Sequence, residues 1–135
     1  MNLRHPVDSS PVVFVAFGEH LFGMDRRTGN RIWNHRIPWA TNIRLAADDV
    51  KVYALGGGLS CLAGATGRVL WFVERVSGDT LLLHDGHLFV GGAGELRCFS
   101  AVDGALLWVD LFKGRGMGAV AIAVPWAVAQ SDRSG

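Results

Sequence analysis

Thr28-Gly29-Asn30-Arg31-Ile32-Trp33 is answered by Thr66-Gly67-Arg68-Val69-Leu70-Trp71 and again by Asp103-Gly104-Ala105-Leu106-Leu107-Trp108. The glycines stand 38 and 37 residues apart, and each is followed four positions on by a tryptophan. A period near 40 residues with a fixed aromatic is the mark of stacked β-units, most often a propeller. Outward from each phrase the same punctuation recurs. Helical periodicity is absent, and short runs rich in Val, Leu, Phe and Ala alternate with Gly, Asp and Asn.

The second unit predicts four strands, A to D, over 43–47, 51–55, 59–63 and 69–75. The third predicts them over 80–84, 87–90, 95–100 and 105–112, with a hairpin signal at Asp85-Gly86. The first unit opens on a strand B over 12–17, and its strand A is either missing or hidden within 2–10. After the third unit, 119–124 reads as a new strand A and 126–130 as a new strand B. The expected fold class is therefore all-β: a β-propeller of four-stranded antiparallel blades, about three and a half per chain. Its divisions are a polar N-terminal segment over 1–11, then a partial propeller over 12–135. The latter holds repeats at about 12–42, 43–78 and 79–116 and a half repeat at 117–130.

Local chemistry explains the repeated residues. Gly29, Gly67 and Gly104 supply a positive φ at the C–D turn. Thr28, Thr66 and Asp103 can hydrogen-bond the turn's own backbone. Trp33, Trp71 and Trp108 place a large rigid ring on the blade face, where it packs against the next blade. Small residues of the B strands and their turns are expected opposite: Ala16 and Gly18, Ala54 and Gly56, Gly91 and Gly92. Cys61 and Cys98 occupy equivalent positions of neighbouring repeats and read as buried small residues.

The pattern resembles the pyrroloquinoline-quinone-type (quinoprotein-like) propeller repeat, whose signature is Ala-x-Asp-x-x-Thr-Gly-x-x-x-Trp. The first unit fits best, with Asp25, Thr28, Gly29 and Trp33. The second has Ala63 where Asp belongs. The third has Ser100 there and Asp103 for Thr. The resemblance implies an eight-bladed ring around a quinone and a calcium ion in the family's dehydrogenases, and scaffold or adaptor roles in its non-enzymatic members. This chain has no vicinal cysteine pair and no cluster of Asp, Glu and Asn suited to calcium. The expectation is the non-enzymatic branch, with no catalytic residue, no cofactor and no metal.

Composition excludes other classes. Half of the 135 residues are apolar and 19% are charged, which suits a packed core and not a disordered chain. A net charge of +1 gives no global attraction to nucleic acid. The stretch from Arg26 to Arg44 holds five arginines with Trp33 and Trp39, and reads as a solvated blade edge. His84 and His87 flank a two-residue turn and read as turn-flanking polar residues. The first eleven residues carry no apolar leader region, and 117–129 is too short to span a bilayer and is broken by Pro125. A cytoplasmic protein without a membrane partner is expected.

Three and a half blades would expose a face and a strand edge at each end. The expected partner is therefore the chain itself, a homo-oligomer with the dimer as first choice. Ring closure would set 119–124 beside strand B of a partner's first blade. The expected function is a non-catalytic scaffold that presents its loops to a further protein. The alternatives are a fragment of a larger quinone-dependent sugar or alcohol dehydrogenase, and a ring that binds carbohydrate or another small ligand.

Overall fold

The computed structural model describes residues 11–125 and 127–129, and every regular element among them is a β-strand. The polar segment over 1–10, the place offered for a first strand A, lies outside the described residues, as do Trp126 and the last six positions. The first blade is a three-stranded sheet of β1 (Val12–Phe17), β2 (His20–Asp25) and β3 (Arg31–Arg36). The second is β4 (Arg44–Ala47), β5 (Lys51–Leu55), β6 (Leu59–Ala63) and β7 (Val69–Val73). The third is β8 (Thr80–His84), β9 (His87–Gly92), β10 (Glu95–Ser100) and β11 (Leu106–Asp110). A two-stranded start of a fourth follows, β12 (Ile122–Val124) and β13 (Ala127–Ala129). Each blade is an antiparallel meander in chain order, so the molecule is a partial β-propeller.

Several boundaries differ from the sequence expectation, for local reasons. Strand D of the second blade stops at Val73, not at 75, and Arg75 turns the chain away with a φ of 63°. Strand D of the third stops at Asp110, and Phe112 has a φ of 46°. The glycines at 91 and 92 belong to β9, because Gly92 pairs with Glu95 across a two-residue turn at Ala93 and Gly94. The run over 119–124 shortens to Ile122–Val124. The residues just ahead of β12 serve the third blade instead: Gly94 N–H donates to Gly118 O (2.8 Å), and Thr80 Oγ1 donates to Val120 O (2.9 Å). The edge of β12 assigned to a partner's strand is occupied by β13 of the same chain, with Ile122 opposite Ala129. At the other hairpin, Asp85 and Gly86 both take positive φ (53° and 75°), the type I′ geometry that suits the twist of flanking strands.

The core lies between blades, not within them. Strand residues alternate between a rear face, toward the preceding blade, and a forward face. The rear face of the second blade (Val52, Ala54 and Leu62) packs with Leu21 and Trp33 of the first. Its forward face (Tyr53, Leu55, Leu59 and Cys61) packs with Leu88, Val90 and Phe99 of the third.

Candidate functional site

The repeat motif turns out to be a device that joins one blade to the next. In each C–D turn the glycine N–H closes back on the last residue of strand C. Gly29 bonds Asp25 O, Gly67 bonds Ala63 O and Gly104 bonds Ser100 O, all at 2.8 Å, with φ of 78°, 75° and 79°. The preceding side chain caps the turn. Thr28 Oγ1 accepts from Asn30 N–H and Thr66 Oγ1 from Arg68 N–H, each at 3.2 Å, and Asp103 Oδ1 accepts from Ala105 N–H at 3.0 Å. Asp25 Oδ1 accepts from Arg27 N–H at 2.8 Å.

The tryptophan then reaches the following turn. The Trp33 ring lies against Gly67, and its Nε1 donates to Gly64 O at 2.8 Å. The Trp71 ring lies against Gly104, where a Cβ would sit 2.7 Å from the ring, and its Nε1 donates to Ala101 O at 3.3 Å. Each repeat's glycine is the floor for the previous repeat's indole. Of the B-strand residues expected in that role, Ala54 does lie in one core cluster with Trp33, whereas Gly56 faces Ile43, and Gly91 faces Thr80 and Val120.

Two further members of the motif emerge, of which the sequence reading had only the equivalence of Cys61 and Cys98. The residue across from each tryptophan on strand C is small: Gly23, Cys61 and Cys98. An aromatic on strand B flanks it: Phe14, Tyr53 and Phe89, with ring centroids 6.1, 6.1 and 6.2 Å from the indole. The signal was available as an aromatic at the third position of each strand B, but it is weaker than the Gly–Trp spacing. Both cysteines are free and buried. Burial pushes the Cys61 thiol up to about 11 and raises that of Cys98. Burial also raises the Tyr53 phenol, which lies near Asp48 and Cys61. Neither thiol is expected to react with a disulfide reagent at pH 8 in the native protein, and both should react once urea unfolds it. Rapid native labelling would show that the blades open locally.

The surface with the most distinctive chemistry is the rim that carries the B–C turns and the links between blades. A groove of ≈ 520 Å³ lies there, bounded by Trp39, Asn42 and Arg44, by the turn at Gly56 and Gly57, and by the link from Val76 to Asp79. Trp39 is 88% exposed, has a φ of 68° and belongs to no repeat position. Glu19, from the β1–β2 turn, holds this link. Its carboxylate accepts Trp39 N–H and Arg36 Nε–H, both at 2.9 Å. The Trp39 amide first, and then Arg36, hold the Glu19 carboxyl below its ordinary 4.5. Arg44 Nε–H donates to Asp79 O at 2.8 Å and ties the two links together. An exposed aromatic beside hydrogen-bonding backbone can anchor a peptide or a flat ligand.

The depressed Glu19 value sets a pH dependence. The clasp is complete above pH 4.5 and is lost as pH falls through the lowered folded value. Acidification in that range is expected to change the emission of Trp39 before global unfolding. Glu19→Gln, which keeps an acceptor but not the charge, should remove the step. An unchanged step in Glu19→Gln would show that the clasp does not organise this link.

The arginines of 26–44 are engaged in different ways. Arg27 pairs with Asp25 (3.7 Å) and Arg36 with Glu19 (2.9 Å), while Arg31 lies 4.6 Å from the Phe22 ring centre. His84 and His87 face each other across their hairpin. Among the described residues no three His, Cys, Asp or Glu side chains come together to hold a metal.

Residues 55–133 match the family model described as outer membrane protein assembly factor BamB. Among solved structures, BamB from Moraxella catarrhalis is 22% identical with a TM-score of 0.64, over 76% of this chain and 34% of that one. Quinohemoprotein alcohol dehydrogenase from Comamonas testosteroni is 22% identical with a TM-score of 0.62, over 75% of this chain and 19% of that one. The computationally designed Ika4 protein is 16% identical with a TM-score of 0.72, over 91% of this chain and 81% of that one. This chain thus spans about a third of the natural BamB and a fifth of the dehydrogenase, and at these identities the likeness is one of fold. No functionally curated protein matches it by sequence.

Proposed function

The chain belongs to the family of the outer membrane protein assembly factor BamB, and from that premise we propose that it is a non-catalytic binding scaffold. It presents inter-strand loops to a protein partner and associates with further copies of itself to close a ring. One observation carries the reading. Val13 and Val15, on the rear face of the first blade, are 43% and 37% exposed, while the equivalent Val52 and Ala54 of the second blade are fully buried. Apolar positions that every interior blade covers are uncovered at the end of the array, and such patches on a folded surface mark association sites. The rim groove beside Trp39 supports the second half of the reading, as the surface that stays accessible when blade faces are covered.

The test is the solution mass of the purified chain by light scattering coupled to gel filtration. A discrete dimer or small closed oligomer is expected. A monodisperse monomer would overturn the ring, and so would polydisperse aggregate. The non-catalytic half is tested separately by adding a quinone and calcium. Dye-linked oxidation of any alcohol or sugar would overturn it in favour of a dehydrogenase module.

A further inference from the structure

We infer that the rim groove between the first and second inter-blade links binds a proline-rich segment of a partner protein, held as a polyproline II helix with a proline ring against the Trp39 indole. The inference rests on the protein-partner half of the reading above and names the chemistry of that partner. It does not draw on self-association.

Stacking two blades does not require Trp39. Arg44 and Thr80 hold equivalent places on their A strands, each across from the residue two beyond the B-strand aromatic, Leu55 and Gly91. Trp33 precedes Arg44 by 11 residues, whereas Trp71 precedes Thr80 by 9. The first link is thus longer than the second, although both join a seated tryptophan to the next strand A. Its backbone is fixed. Ile37 and Ala40 are buried, Ala40 N–H donates to Ile37 O at 3.2 Å, and Glu19 clasps the Trp39 amide. The Trp39 ring, by contrast, stands exposed on a left-handed residue, a conformation that bulky side chains rarely adopt and that clusters at binding sites. An indole on a fixed backbone loses little freedom when a ligand covers it.

The groove's lining narrows the ligand. It holds one cationic side chain, Arg44, and one anionic one, Asp79, so a neutral ligand fits it best. Leu55 and Val76 are buried, which leaves the indole as the main apolar wall. The Trp39 indole N–H, the Asn42 amide and the Thr41 and Ser77 hydroxyls supply donors, and none of these side chains is engaged among the described residues. The surrounding backbone is already paired. Gly56 N–H donates to Gly58 O at 2.9 Å and Asp79 N–H to Gly91 O at 2.8 Å. A peptide that adds as a strand needs such groups free. A polyproline II chain needs the reverse: it has no internal hydrogen bonds, its carbonyls require donors, and its prolines bring no N–H. Its rings pack on exposed aromatics, and its stiffness lowers the cost of ordering it.

The test titrates a blocked decaproline peptide into the isotope-labelled full chain and follows the indole N–H resonance of Trp39. That resonance is identified by its absence from Trp39→Asn, a variant that tolerates positive φ and lacks the ring. Ser77→Ala removes one donor. Both changes fall on exposed side chains and are expected to keep the wild-type far-ultraviolet circular dichroism. Decaproline is expected to shift the Trp39 resonance. Its affinity by calorimetry should fall roughly tenfold or more in Trp39→Asn and by a smaller factor in Ser77→Ala, and a glycine–serine decapeptide should not bind. Absence of decaproline binding, or binding that Trp39→Asn leaves unchanged, would overturn the inference. A resonance that moves with maltopentaose and not with decaproline would overturn it in favour of a saccharide site. Each of these failures leaves the scaffold reading standing, because solution mass and the quinone assay decide that reading separately.

Discussion

Trp33→Ala is expected to lower the unfolding free energy by about 3–5 kcal/mol, the cost of truncating a large buried aromatic. The ring is nearly enclosed and its Nε1 bond to Gly64 O is buried, so the substitution empties a cavity and also leaves a carbonyl without its donor. The loss falls on the contact between two blades and not on either blade's own ladder. Urea denaturation should show a lower midpoint, and the slope should fall too if the first blade now opens separately from the rest. Trp108→Ala, measured where the chain is a single copy, should cost well under 1 kcal/mol, since surface substitutions usually do. Similar losses at the two sites would mean that the indoles stabilise their own blades and not the junctions.

Gly67→Ala is expected to be among the more damaging single-methyl changes at the described glycines. It forces a Cβ into the left-handed region, at about 1–2 kcal/mol, and drives it into the Trp33 ring, at about 1–3 kcal/mol more. A loss of about 2–5 kcal/mol follows if the fold survives. Gly29→Ala carries only the first of these costs in the single copy, because no atom of the described residues lies within 4 Å of its Cβ position. The difference between the two, read by thermal or urea melting of the dilute protein, isolates the contribution of the indole contact. Equal effects would reduce the glycine's role to its φ.

The sequence displayed the array far better than it displayed the contacts. Gly29, Gly67 and Gly104 announced the turns because positive φ leaves few alternatives, and the Asp85-Gly86 hairpin was legible for the same reason. The tryptophans were legible as pegs, but their seats were not. A seat made by a turn one repeat away depends on how blades stack, and strand periodicity carries no such information. Cys61 and Cys98 were legible as equivalent small residues, but only the register across from the tryptophans adds Gly23 to them. Trp39 was read with the arginines around it, since nothing in 26–44 reveals that Glu19, in a distant turn, clasps its amide. Both strands of the fourth blade were legible on either side of Pro125, but their pairing with each other was set aside when the first of them was assigned to a partner.

The forward direction of the Trp–Gly interlock also has a meaning in time. Trp33 leaves the ribosome 34 residues before the glycine that receives it. At a synthesis rate of about 5–20 residues per second, that is a wait of roughly 2–7 s. Throughout that interval the first sheet has its ladder but no cover for its indole. Each sheet is thus completed by its successor, and the nascent chain always carries one exposed tryptophan at its growing front.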